Sequence, residues 1–99
     1  MDALIRQPNQ AGRGACSQIT ATTAGVELLP AATSYRRTML AVSNAGAAGL
    51  FVRDAGNQGG FYLPAGATVI LCWPFVPQGA ITVTGDGAST VASYREGIA

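Results

Sequence analysis

Turn and breaker residues punctuate this 99-residue chain so often that no helix of useful length fits between them. Ala24-Gly25, Pro30, the small-residue run Asn44 to Gly49, Asp54 to Gly60, Pro64-Ala65-Gly66-Ala67, Pro77-Gln78-Gly79 and Gly85-Asp86-Gly87 all carry turn chemistry. Ala24 to Ala32 has room for one helical turn at most, because Gly25 and Pro30 flank it closely. Short stretches of β-branched and aromatic residues lie between the breakers, and these are strand material.

The spacing predicts strands over Cys16 to Thr23, Val26 to Leu29, Arg36 to Ser43, Leu50 to Arg53, Phe61 to Leu63, Thr68 to Phe75, Ala80 to Thr84 and Ser89 to Glu96. In the third, Leu40 and Val42 alternate with Met39 and Ala41, and the fourth reads as its hairpin partner. Thr68 to Phe75 is apolar on both alternating faces, which predicts a strand covered on both sides. Pro74 forbids a ladder bond and marks its end or a bulge. Seven to eight short strands at turn spacings of about 8 to 12 residues imply an all-β fold, a small antiparallel β-sandwich, jelly-roll-like or Ig-like.

Residues 1–15 read differently. Arg6-Gln7-Pro8-Asn9-Gln10-Ala11-Gly12-Arg13-Gly14 has breakers and almost no apolar pattern. The expected organisation is an extended, flexible N-terminal arm over 1–15 and a sandwich domain over 16–99. The arm is mildly basic, with Arg6 and Arg13 against Asp2.

Composition limits the chemistry. The chain has no His and no Lys, so it lacks the usual proton shuttle at neutral pH and the Schiff-base amine. Its five acids, Asp2, Glu27, Asp54, Asp86 and Glu96, each fall at a turn, an edge or a terminus, where solvated carboxylates belong. Ser and Cys nucleophiles would have only a carboxylate as base. Gly85-Asp86-Gly87 and Asp54-Ala55-Gly56-Asn57 offer too few oxygens for a calcium loop. No helix follows the glycines of Asn57-Gln58-Gly59-Gly60, so a phosphate loop is excluded. The expectation is a protein that is not an enzyme and uses no metal or cofactor.

A net charge of +1, from six Arg and five acids, gives no basic patch for nucleic acid. The longest apolar run, Val69 to Val76, is too short to span a membrane. Met1 to Arg6 lacks the apolar stretch of a secretion signal, which implies synthesis in a cytoplasm. In that setting Cys16 and Cys72 read as two buried thiols rather than a disulfide. With 48% hydrophobic residues, the chain has more apolar material than a lone small domain needs, a sign of surface buried against neighbours. Candidate interface residues are the doublet Arg36-Arg37, which has the alternatives of a solvated strand edge or a contact to an acidic surface, and Phe61, Tyr62 and Trp73. Trp73 lies in the most apolar strand, which predicts burial in the core or an interface; Phe61-Tyr62 borders a glycine loop and is the better exposed pair.

Three segments carry a resemblance. Arg36-Arg37-Thr38-Met39-Leu40-Ala41-Val42-Ser43-Asn44-Ala45-Gly46 resembles the arginine, apolar strand, Asn-x-Gly segment of small structural proteins of tailed phages. Leu63-Pro64-Ala65-Gly66-Ala67-Thr68 is similar to their turn before a strand, and Thr82 to Glu96 resembles their closing hairpin. In layout the likeness covers residues 18 to 97. It implies a β-sandwich virion component, most like a head decoration (cement) protein. Such a protein is made in the host bacterial cytoplasm and sits on the capsid surface of the virion. It is often a homotrimer at local three-fold positions, and its partner is the major capsid protein of the phage head. The family has no catalytic residues to carry over, and residues 1–15 match nothing in it. A module that binds only the expanded lattice stabilises that lattice by mass action, and many weak contacts act together. On this reading Arg6, Pro8 and Arg13 grip the shell. The alternative is a tail or fibre accessory domain that binds a host glycan through Phe61, Tyr62 or Trp73.

Overall fold

The computed structural model describes residues 16–54 and 60–99. It contains eight strands: β1 (Cys16–Ala21), β2 (Val26–Leu29), β3 (Arg37–Asn44), β4 (Gly49–Asp54), β5 (Gly60–Leu63), β6 (Thr68–Cys72), β7 (Ile81–Asp86) and β8 (Thr90–Ile98). They form two four-stranded antiparallel sheets with orders β1-β8-β3-β6 and β2-β7-β4-β5. The N-terminal arm expected over residues 1–15, with Arg6, Pro8 and Arg13, lies outside the described residues.

Four of the strand pairs are β1·β8, β2·β7, β3·β6 and β4·β5. That is the pattern of one long hairpin wrapped on itself, and β3·β8 and β4·β7 then join the wrapped pairs into sheets. The sandwich is therefore the jelly roll of the two expected forms. One consequence corrects two expectations. Strands consecutive in sequence sit in opposite sheets, except for β4 and β5. The residues after Asn44 carry the chain from one sheet to the other, so β3 and β4 are not hairpin partners. Likewise β7 and β8 are not a closing hairpin; the chain changes sheets past Gly87, whose φ is +76°.

The core follows from period-two alternation. Along β3, Leu40, Val42 and Asn44 point inward, while Met39, Ala41 and Ser43 face outward. Leu50 and Val52 of β4 and Ile81 and Val83 of β7 fill the opposite wall. Where the chain folds back on itself, space is tight: a Cβ at Gly85 would collide with the carbonyls of Ala88 and Ala21.

The ends of β3 are fastened by polar groups. At its start Arg37 is fully buried, and its Nε–H donates to Glu96 Oε2 over 2.8 Å. Its Nη1 donates to the carbonyls of Pro77 (2.6 Å) and Gly79 (3.1 Å), and its Nη2 to that of Pro30 (2.9 Å). Gln78 completes the junction: its Oε1 accepts from the Arg37 backbone N–H and its Nε2 donates to the Arg37 carbonyl, both at 2.8 Å. Tyr35 Oη donates to the same Glu96 oxygen over 3.3 Å. At the other end Asn44 is buried, and its Nδ2 donates to the carbonyls of Ala48 (2.6 Å) and Leu63 (2.9 Å). Its Oδ1 accepts from Gly46 N–H (3.1 Å) and Thr90 Oγ1 (2.9 Å). Both side chains tie the loops between sheets to a central strand.

Arg37 was expected at a solvated edge or an acidic interface, and Glu96 in solvent. Both expectations are corrected: the two form a buried ion pair in which the guanidinium's remaining hydrogen bonds go to backbone carbonyls. Burying a charge is tolerable only with this degree of pairing.

Candidate binding surface

Two exposed apolar regions stand out from this frame. The first lies on the outer face of the β2-β7-β4-β5 sheet. Leu50 and Val52 point into the core, so the alternate residues Gly49, Phe51 and Arg53 face out, and Tyr62 is directly opposite Phe51 on β5. The two rings meet with centroids 5.1 Å apart and planes inclined by 56°. The Tyr62 ring also covers Gly49, where any Cβ would strike it, an aromatic ring shielding a strand glycine. Arg53 stands 5.7 Å from the centre of the Phe51 ring. Thr84 of β7 continues the row beyond Phe51. Tyr62 is half exposed, so the row offers a ring, a cation and a hydroxyl on a rigid sheet.

The second region is the open edge of the sandwich where β5 and β6 end the two sheets. Here Ile70 is 64% exposed and Phe75 is 84% exposed. Trp73 is half exposed and Phe61 stands at the rim of a cavity of about 220 Å³ that reaches inward between the sheets to Leu40, Val52 and Ile81. The Arg36 guanidinium lies 4.6 Å from the Trp73 ring centre, a cation–π contact on the surface.

The expected sites thus divide. Tyr62 belongs to the face, Phe61, Trp73 and Arg36 to the open edge, and Arg37 to the interior. The expected covering of Thr68 to Phe75 on both sides is corrected: β6 is an edge strand whose alternate residues Thr68, Ile70 and Cys72 are exposed. Trp73 is accordingly outside the core. Pro74 follows the strand's end, as expected, after a cis peptide bond. Cys16 and Cys72 are free thiols, and both are exposed rather than buried. They lie on β1 and β6, the opposite edges of one sheet.

The residues missed by sequence reasoning are Ile70, Phe75, Phe51 and Arg53. Alternation within β6 gave a signal for Ile70, which shares a face with two polar or weakly polar residues. Among the described residues no group of three or more His, Cys, Asp or Glu converges on a point. No family model matches the chain, no curated protein matches it, and no solved structure matches it.

Proposed function

We propose that this chain is a structural virion protein, a capsid decoration protein that binds the outer surface of a phage head and stabilises the shell. The observation that carries the reading is the Tyr62–Phe51–Arg53 row, held on the outer face of a sheet whose other face is packed core. Tyr and Arg anchors on a rigid support are what protein interfaces use as energetic centres, because little conformational entropy is lost on docking. Arg6, Pro8 and Arg13 supply the second grip on the major capsid protein in this proposal. A jelly roll alone argues for no particular function, so the proposal rests on that row and on the resemblance of the 36–46 and 63–68 segments.

The same row favours one alternative. A half-exposed Tyr ring covering Gly49, in a row that continues through Phe51 to Arg53 and Thr84, also suits stacking on a sugar ring. Co-sedimentation of the full chain with heads stripped of decoration separates the two readings. Decoration requires binding to expanded heads that Tyr62→Ala or Arg53→Ala weakens by about tenfold, the equivalent of ~1.4 kcal/mol. It also requires a loss with Arg6→Ala combined with Arg13→Ala. Binding to a glycan array with none to heads would transfer the row to the glycan reading, and binding to neither would end both.

A further inference from the structure

We propose that β6 is a self-pairing edge, through which two copies of this chain join their β1-β8-β3-β6 sheets into one continuous sheet across a two-fold axis at Ile70. This inference goes beyond the decoration reading and does not depend on it.

The argument begins with which backbone groups β6 leaves open. Trp73 N–H donates to the Thr38 carbonyl, and Asn44 N–H donates to that of Ala67. In an antiparallel ladder the hydrogen-bonding groups point alternately to the two sides of a strand. Residues 67, 69, 71 and 73 therefore direct theirs toward β3, and Thr68, Ile70 and Cys72 direct theirs outward. Among the described residues no strand pairs with that side. The outward groups are centred on Ile70, and of them the Cys72 carbonyl already accepts from Phe75 N–H over 2.8 Å. An antiparallel second copy places Ile70 opposite Ile70, where both N–H and C=O bonds are exchanged, and Thr68 opposite Cys72, where the Cys72 N–H donates to the Thr68 carbonyl of the second copy.

Protection against edge pairing is missing on β6 and present on both edges of the other sheet. Edges are ordinarily blunted by charge, Pro, bulges or brevity. β6 carries no charge and no Pro, and its register against β3 runs without a shift. β2 is bulged and carries the exposed Glu27, and β5 has only four residues and begins with Gly; β1 is as uncharged and regular as β6, but it presents Ser17, Gln18 and Thr20 and no large exposed apolar side chain.

The edge also offers apolar area. Ile70, Phe75, Trp73 and Phe61 expose roughly 500 Å² between them, taking about 150–250 Å² for each large side chain. A stable partner contributes about 800 Å², so these side chains offer the larger part of what such a contact needs. A partner with a different sequence gains nothing from the symmetry about Ile70; a second copy uses all of it.

The test is sedimentation equilibrium of the full chain, with Ile70→Arg and Ile70→Thr beside it. The expected result is a dimer, weakened at least 100-fold by Ile70→Arg and measurably by Ile70→Thr, with the β-sheet circular dichroism retained. Register is tested separately by Thr68→Cys in a Cys16→Ser background. Hydrogen-bonded pairs stand about 5.5 Å apart at Cα, within disulfide reach. Mild oxidation should link the new thiol to Cys72 of the second copy, and Thr84→Cys in the same background should give no cross-link. A monomer, a trimer, a dimer indifferent to Ile70→Arg, or equal cross-linking at positions 68 and 84 would each overturn the proposal. Should Ile70→Arg fail to fold, Ile70→Thr and the cross-link decide the question.

Discussion

The junction at Arg37 and the edge at Ile70 lie on neighbouring strands of one sheet, yet they invert what their residue types would lead one to expect. A charged side chain is fully buried, while large apolar side chains stand in solvent a strand away. The difference comes from position in the wrapped hairpin. β3 is central, so a group at its end meets loops from both sheets, and Arg37 has enough donors to satisfy them. β6 is terminal in its sheet, so its outward side chains have a neighbouring strand on one side only. The inner region specifies one arrangement of the loops, and the outer region leaves surface available for a partner.

The largest effect is expected at Arg37. Arg37→Ala leaves Glu96 buried without its partner and frees three carbonyls, so urea unfolding should show a loss of about 3–5 kcal/mol. Replacing both, as Arg37→Met with Glu96→Leu, should recover a large part of that loss, because two apolar groups of similar volume remove the unpaired charge. A cost below ~1 kcal/mol for Arg37→Ala would break the comparison. Asn44→Ala should cost about 2–3 kcal/mol, since Thr90 Oγ1 and the carbonyls of Ala48 and Leu63 all lose a partner. Thr90→Val in the same background should then cost less than it does alone, which sharpens the assignment to one network.

The open edge should behave oppositely. Trp73→Ala removes an exposed ring and the Arg36 contact, worth about 0.5–1 kcal/mol. Ile70→Arg, read at concentrations where the chain is monomeric, should stay within about 0.5 kcal/mol of the unmodified protein. A large loss at Ile70 would mean that the edge belongs to the core after all.

These two regions also mark where the sequence was legible. Turn chemistry located every strand, and Val26–Leu29 agrees with the expectation to the residue. The Asn44-Ala45-Gly46 motif finds its reason in the Asn44 side chain accepting from Gly46 N–H, and Leu63 to Thr68 in a turn at Gly66 with φ +83°. Two of the three segments on which the resemblance rests are thus devices of the fold. Pairing was not legible. The small-residue run after Asn44 suits a hairpin as well as a passage between sheets, and only long-range contacts decide between them. Arg37 was hidden because its partner is 59 residues away. The exposure of Trp73 and Ile70 was hidden because an apolar run reads the same whether its strand is central or terminal. The face row was half visible, as Phe61-Tyr62 beside a glycine loop; only the β4·β5 register brings Phe51 and Arg53 to Tyr62.

The proposed function is tested most directly by the copy number of this chain in purified virions, relative to the major shell protein, measured by quantitative mass spectrometry. A decoration protein should be present in copies comparable to the shell protein. A handful of copies would place it at the tail or portal, and none at all would contradict the virion reading outright.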